Sequence, residues 1–238
     1  LYRAYGYLPY KMNKFEEYDF YAKNKDFLVS DGIISFTDTN GKLMALKPDV
    51  TLSIIKNYKE EPGCIQRVYY NENVYRIAGD THEFKEIMQT GLECMGDLDD
   101  FAEMEVITLA LKSLQAVSRD FVLEISHMGF LAALLEAAEK GEDFNKKAMT
   151  FVGEKNQHEL KRLCKEYQVS PEMTEKLESF IGIYGERQSV LRKLEPLSEG
   201  NAQMEEALRK LQGIDSLLRQ TGFSDAVRLD VALVNDMN

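Results

Sequence analysis

The stretch that decides the reading is EIMQTGLECMG, Glu86–Gly96. Read with period two, Ile87, Gln89, Gly91 and Glu93 point one way, and Met88, Thr90, Leu92 and Cys94 the other. The second set is mostly apolar and is expected to face a core. The first set carries a glycine in mid-strand, between a glutamine and a glutamate. Glycine weakens a strand interior unless something approaches the sheet closely there. The pattern therefore predicts a strand with a notch at Gly91, walled by Gln89 and Glu93. Such a notch suits a small cationic ligand held by charge-assisted hydrogen bonds. The competing reading is a solvated strand face with an incidental glycine.

Upstream, CIQRVYYNENVYRI (64–77) reads as a strand, a kink at Asn71–Asn73 and a second strand, followed by the loop AGDTHE. Arg76 ends this tyrosine-rich run and is a candidate contact for a phosphate or carboxylate. The plainer reading is a surface arginine over tyrosine rings. Earlier still, FLVSDGIISFTDTNGKLMAL (27–46) reads as strand, turn, strand, with Asn40-Gly41 as the hairpin signal. In ALKPDVT, Pro48 sets a turn, and Asp49 and Thr51 stand where a helix over 52–58 begins. Both are expected capping types. Pro62-Gly63 then breaks the chain.

Downstream, DLDDFAEMEVITLALKSLQAV (97–117) predicts a helix capped by Asp99 or Asp100, with Phe101, Met104, Ile107, Leu111 and Leu114 at helical spacing. DFVLEIS (120–126) predicts a strand, and GFLAALLEAAEKG (129–141) a helix with Gly141 as its C-cap. From about Asp143 the composition shifts, and 143–220 reads as almost entirely helical. Within it, Ser170 and Pro171 are an N-cap and first helical residue, and 201–222 forms the last helix. DAVRLDVALVNDMN (225–238) returns to strand. The fold class is α+β: a mostly antiparallel sheet with helices over 1–142 and 221–238, and a helical insertion over 143–220.

The 238 residues are 44 % hydrophobic and 29 % charged, an ordinary globular balance. A net charge of −11 with no basic stripe argues against gripping nucleic-acid backbones. No apolar run approaches the roughly 18 residues that span a bilayer, and no secretion leader is seen. The opening LYRAYGY starts mid-element, which points to an N-terminus lying upstream. Cys64, Cys94 and Cys164 are odd in number and scattered, which fits reduced thiols in a cytoplasm. His82, His127 and His158 lie far apart and no CxxC or HxxxH spacing occurs, so no metal site is expected. No GxSxG, no Walker loop and no Cys/His pair at credible spacing occurs; Gly185 lacks the partners of a phosphate loop. No cofactor is expected.

Taken in chain order, GYLPYKMNKFE, SFTDTNGKLMALKPDVT, RVYYNENVYRI, FKEIMQTGLECMG, FAEMEVITLAL, LEISHMGFLAALL and LDVALVNDMN resemble the histidyl-tRNA synthetase catalytic domain. The resemblance covers nearly the whole chain. It implies a class II aminoacyl-tRNA synthetase-like antiparallel sheet flanked by helices, with a helical insertion where 143–220 lies. The family's histidine pocket draws on an LRPEGT motif and a QxGxE strand. By position the resemblance assigns Asp49, Thr51, Gln89, Gly91 and Glu93 to histidine binding, so the notch at Gly91 would hold the amino acid itself.

Two departures separate the chain from an active synthetase. The family's motif 2 reads FRxE, whereas Arg76 has no glutamate two residues on. The family's LVRGLDYY strand supplies an arginine where Asn235 stands, and an arginine aimed at developing negative charge is worth orders of magnitude in rate. Asn13 also replaces the proline typical of motif 1, the family's dimer interface. In the first two respects, in the aspartate of LKPDVT and in KEIMQTGLE the chain resembles the regulatory subunits of ATP phosphoribosyltransferase, which read LRPDxT and REFxQxGxE; Lys47 replaces their arginine. This resemblance implies a non-catalytic subunit of a glycosyltransferase complex, with no catalytic residues of its own. It implies homodimers joined to a short catalytic subunit in a hetero-octamer, with L-histidine as allosteric effector at the first step of histidine biosynthesis. The alternatives are a histidyl-tRNA synthetase catalytic-domain fragment and an interaction module without ligand.

Overall fold

The structure is a computed structural model describing residues 1–23, 32–78 and 81–233. Residues 27–31, the start of the strand expected before the Asp38–Lys42 turn, and the position of Asn235 lie outside the described residues. The chain divides into two compact units, one containing Leu1–Ser113 and the other beginning at Leu114.

The first unit contains two three-stranded sheets. In one, β1 (Leu8–Pro9) runs parallel to β5 (Ile65–Ile77), which pairs antiparallel with β6 (Phe84–Gly96). In the other, β4 (Leu43–Leu46) lies between β2 (Phe15–Glu17) and β3 (Ser35–Thr37), both antiparallel to it. The Asn-Gly signal is a hairpin turn as expected. Asp38 N–H donates to the Lys42 carbonyl at 2.9 Å, and the Asp38 carboxylate accepts from the Asn40 and Lys42 N–H groups at 2.8 Å. A short helix α1 (Tyr18–Lys23), helix α2 (Thr51–Asn57) and the greater part of helix α3 (Asp100–Val117) complete the set. The Asp99 carboxylate caps α3 by accepting from the Ala102 N–H.

Two expectations are corrected here. β5 is one continuous strand of 13 residues, without a kink at Asn71–Asn73. These polar residues stay in the ladder because each finds a cross-strand partner. Asn71 Oδ1 accepts from the Thr90 hydroxyl at 2.9 Å, and Asn73 Nδ2 donates to the Glu86 carboxylate at 2.6 Å. The polar set of β6 also faces a core, which the alternation alone did not predict. Directly opposed residues share a sheet face, so Val68↔Glu93, Tyr70↔Gly91 and Val74↔Ile87 put the polar set of β6 beside the buried set of β5. Val68, Tyr70 and Val74 pack with Val50 and Ile54 into one core cluster. Met88, expected in a core, is 70 % exposed. Apolar count alone missed the core on the polar face, because the residues that bury it come from β5 and α2; on the apolar face only Leu92 and Cys94 are partly buried.

The second unit carries β7 (Leu123–Ile125), α4 (Met128–Glu136), α5 (Glu142–Gly153), α6 (Gln157–Glu166), α7 (Pro171–Ile181), β8 (Tyr184–Glu186), α8 (Arg187–Ser198), α9 (Ala202–Leu218) and β9 (Val227–Asp230). Its core joins Phe130, Leu134, Phe144, Leu160, Phe180, Leu194 and Leu211, with Leu229 from the sheet. Ser170 caps α7 as expected, its hydroxyl accepting from the Met173 N–H. Gly141 is not the C-cap of α4. That helix ends at Glu136, Glu139 takes the positive φ in the turn after it, and Gly141 precedes α5 instead. The helical run also contributes a strand: β8 pairs antiparallel with β9, which runs parallel to β7. At the start of α8 the buried Arg187 guanidinium donates to Asp215 of α9 at 2.7 Å, to the Ser224 hydroxyl at 2.7 Å and to the Val227 carbonyl at 3.3 Å.

Candidate functional site

All five residues assigned to the pocket lie in the first unit. Asp49, Val50 and Thr51 sit at the turn where Pro48 ends the path from β4 and α2 begins. The Asp49 carboxylate, 8 % exposed, accepts from the Leu52 N–H at 2.8 Å, so it does cap the helix. Thr51, the first residue of α2, is turned toward β6 instead. Its hydroxyl donates to Glu93 Oε1 at 2.6 Å. Burial pushes the Glu93 carboxyl above its usual range, the Thr51 hydrogen bond opposes this, and the Asp49 charge adds to it. The loop and the strand thus bring two carboxylates and a hydroxyl together.

Gln89 and Gly91 continue the same face of β6. The Gln89 carbonyl oxygen is buried and has no hydrogen-bond partner among the described residues. A buried acceptor left unpaired is costly, and it marks a place where a donor from outside fits. Above Gly91 lies the ring of Tyr70, its partner in the ladder. A Cβ on residue 91 would stand 2.4 Å from Tyr70 Cζ and Oη. The close approach that a mid-strand glycine signals is therefore this ring.

Arg76 is on the same side of β5 as Tyr70, and its Nε donates to the Pro48 carbonyl at 2.9 Å. It thereby pins the turn that carries Asp49. Two further charges, neither assigned to the pocket from the sequence, lie beside it. Lys47 is 1 % exposed and its ammonium pairs with the Glu72 carboxylate. Glu72 is the ladder partner of Gln89, so this buried pair borders the polar set. A lysine within LKPD and a glutamate within YNEN give no local signal; only the strand register joins them. Among the described residues no group of three or more His, Cys, Asp or Glu could hold a metal ion. None of the described helices is long and apolar enough to cross a membrane.

The fold is class II aminoacyl-tRNA synthetase-like. Solved structures of that fold superpose on it. An ATP phosphoribosyltransferase regulatory subunit/histidyl-tRNA synthetase from Bacillus halodurans matches with TM-score 0.79 at 24 % identity, over 99 % of this chain and 62 % of its own. A chain of an ATP phosphoribosyl transferase complex from Thermotoga maritima matches with TM-score 0.65 at 19 % identity, over 99 % of this chain and 78 % of its own. The family model described as histidyl-tRNA synthetase matches residues 1–238, and the chain belongs to that family. Within it, the chain is 26 % identical to the ATP phosphoribosyltransferase regulatory subunit of Oceanobacillus iheyensis, over 99 % of this chain and 58 % of that protein. It is 25 % identical to the histidine–tRNA ligase of Archaeoglobus fulgidus, over 96 % of this chain and 55 % of that protein. The chain thus spans little more than half the length of these relatives.

Proposed function

We propose that this chain is the synthetase-like part of an ATP phosphoribosyltransferase regulatory subunit. It binds free L-histidine without catalysing a reaction, and passes feedback control to a short catalytic subunit. The observation that supports this most is the polar set on one sheet face. Asp49 and Glu93 suit the ammonium and a ring N–H of histidine, and Thr51 and Gln89 anchor its remaining polar atoms. The unpartnered Gln89 carbonyl calls for a donor from such a ligand. The nucleotide side is poorer: Arg76 Nε is engaged by the Pro48 carbonyl, and Ala78 stands where motif 2 has its glutamate. The regulatory-subunit names of several relatives support the same reading.

In this reading the chain acts through coupling free energy. Histidine favours one quaternary state, and a differential of about 1–3 kcal/mol changes the partner's activity roughly 5–150-fold. Homodimers in a cytoplasmic hetero-octamer with the catalytic subunit belong to the same proposal. A second reading, a histidyl-tRNA synthetase fragment, is favoured by the histidine–tRNA ligases among the relatives.

Titration calorimetry with L-histidine, ATP and a panel of other amino acids separates the two. Histidine binding without ATP binding, followed by co-purification with a short catalytic subunit, is the expected result. Binding of both ligands moves the chain to the synthetase reading. Heat from neither removes both readings and leaves an interaction module.

A further inference from the structure

We propose that Lys47 is a positioning residue of this site: its ammonium, paired with Glu72, fastens the Lys47–Pro48 turn to β5 and so sets where Asp49 stands against β6. This rests on the amino-acid-binding reading above and adds to it a residue which that reading lacks.

The geometry starts from the outer edge of β5. Toward β6 this strand is paired along its whole length, whereas β1 covers its other edge only at Val68 and Tyr69. Further along, the turn before α2 takes that edge: the Tyr75 N–H donates to the Lys47 carbonyl at 2.9 Å. Side chains of β5 then hold the same turn. Glu72, Val74 and Arg76 are alternate residues and share one face of the strand. The Glu72 carboxylate accepts from the Lys47 ammonium, Val74 packs with Val50, and Arg76 Nε donates to the Pro48 carbonyl at 2.9 Å. The Lys47 N–H donates to the Lys14 carbonyl at 3.1 Å. Lys47 is thus held by its N–H, its carbonyl and its ammonium, two residues before Asp49.

At 1 % exposure Lys47 is out of reach of a ligand, so what it does for the site it does through the turn. A buried ammonium needs a counter-charge, and Glu72 is the one it has. The proline that follows has its φ fixed by the ring, so a fixed Lys47 leaves little freedom before Asp49. From there the chain is fastened again: the Asp49 carboxylate accepts from the Leu52 N–H at 2.8 Å, and the Thr51 hydroxyl donates to Glu93 Oε1 at 2.6 Å. The same Glu72 is the ladder partner of Gln89, so the ion pair ties the turn to the strand position that faces the polar set of β6.

The test combines calorimetric titration with L-histidine, urea denaturation, and hydrogen exchange of the Tyr75 and Leu52 amides by NMR. The variants are Lys47→Arg, Lys47→Met and the double variant Lys47→Met with Glu72→Met. Lys47→Met strands Glu72 and should bind histidine about tenfold more weakly, the scale of one lost charge-linked hydrogen bond, with both amides exchanging faster. Lys47→Arg keeps the charge and the donor and should bind as the native chain does. The double variant replaces the ion pair by apolar side chains at unchanged net charge, so stability should return while the weaker binding and the faster exchange remain. A double variant that binds histidine as tightly as the native chain makes the pair a matter of stability alone and overturns the proposal. Affinity as low in Lys47→Arg as in Lys47→Met overturns it equally. If Lys47→Met does not fold, the double variant decides. If the native chain binds no histidine, the histidine reading falls and the Leu52 amide decides the positioning: native protection in the double variant overturns it, and faster exchange there upholds it.

Discussion

The Thr51 hydroxyl and the Glu93 carboxylate, 42 residues apart, meet at 2.6 Å. The contact ties the first turn of α2 to the middle of β6. It gives LKPDVT and QTGLE a reason to occur in the same chain. The proline turn delivers Asp49 and Thr51 to the sheet face, the glycine admits the Tyr70 ring, and Glu93 receives the hydroxyl. Each sequence feature has an ordinary local role, and the site arises where those roles coincide.

Removing the negative charge of Glu93 while keeping its shape isolates its contribution. Glu93→Gln should weaken L-histidine binding by about 1.5–3 kcal/mol, the range for a hydrogen bond to a charged group. The fold should be retained, since a buried carboxylate near Asp49 gains little stability from its charge. Calorimetry and a thermal melt on the same sample check both statements. Unchanged affinity would take Glu93 out of the ligand site.

Gly91 is expected to tolerate no side chain while Tyr70 is in place. Gly91→Ala puts a methyl where the phenol ring lies, and overpacking of this kind typically costs about 1–3 kcal/mol. The loss should shrink when Tyr70→Ala is combined with it, because the two changes share one volume. Urea denaturation of the two single variants and the double measures this coupling. Independent, additive losses would mean that the ring does not rest on Gly91.

The local devices were legible in the sequence. Asn40-Gly41 announces its hairpin, Ser170-Pro171 its helix start, and the period of 3.6 residues α3. The notch in β6 was legible as a glycine that needed an explanation. What could not be read was which way β6 faces, because period two fixes the two sets but not the side of the core. Val68, Tyr70 and Val74 decide that, through a register with β5 that no local signal encodes. The same holds for Tyr70 as the occupant above Gly91 and for Glu72 as the partner of Lys47. The three residues of β8 lie inside a helical run and become a strand only because β9 is available to pair.

Histidine affinity should depend on pH through Glu93. Its carboxyl titrates above the usual range, so the ligand-competent ionised form grows as pH rises through that raised value. Below it, binding and proton compete. Histidine's own ring also titrates, so the informative quantity is the difference in affinity between the native chain and Glu93→Gln across pH. That difference should widen from acid toward neutral pH, and a flat difference would assign the pH dependence to the ligand alone.

In the second unit, Asp215 should control acid stability. Burial pushes its carboxyl up, but hydrogen bonds and charges from Arg187 and Arg219 outweigh this and hold it below the ordinary range. A depressed native value means that its contribution is complete above the unfolded value near ~4 and is lost as pH falls through the native one. Asp215→Asn leaves the buried Arg187 without its counter-charge, which typically costs about 3–5 kcal/mol. Urea melts of Asp215→Asn and the native chain should therefore differ most near neutral pH and converge in acid. Parallel curves at all pH values would show that Arg187 draws its stability from the Ser224 and Val227 contacts rather than from the ion pair.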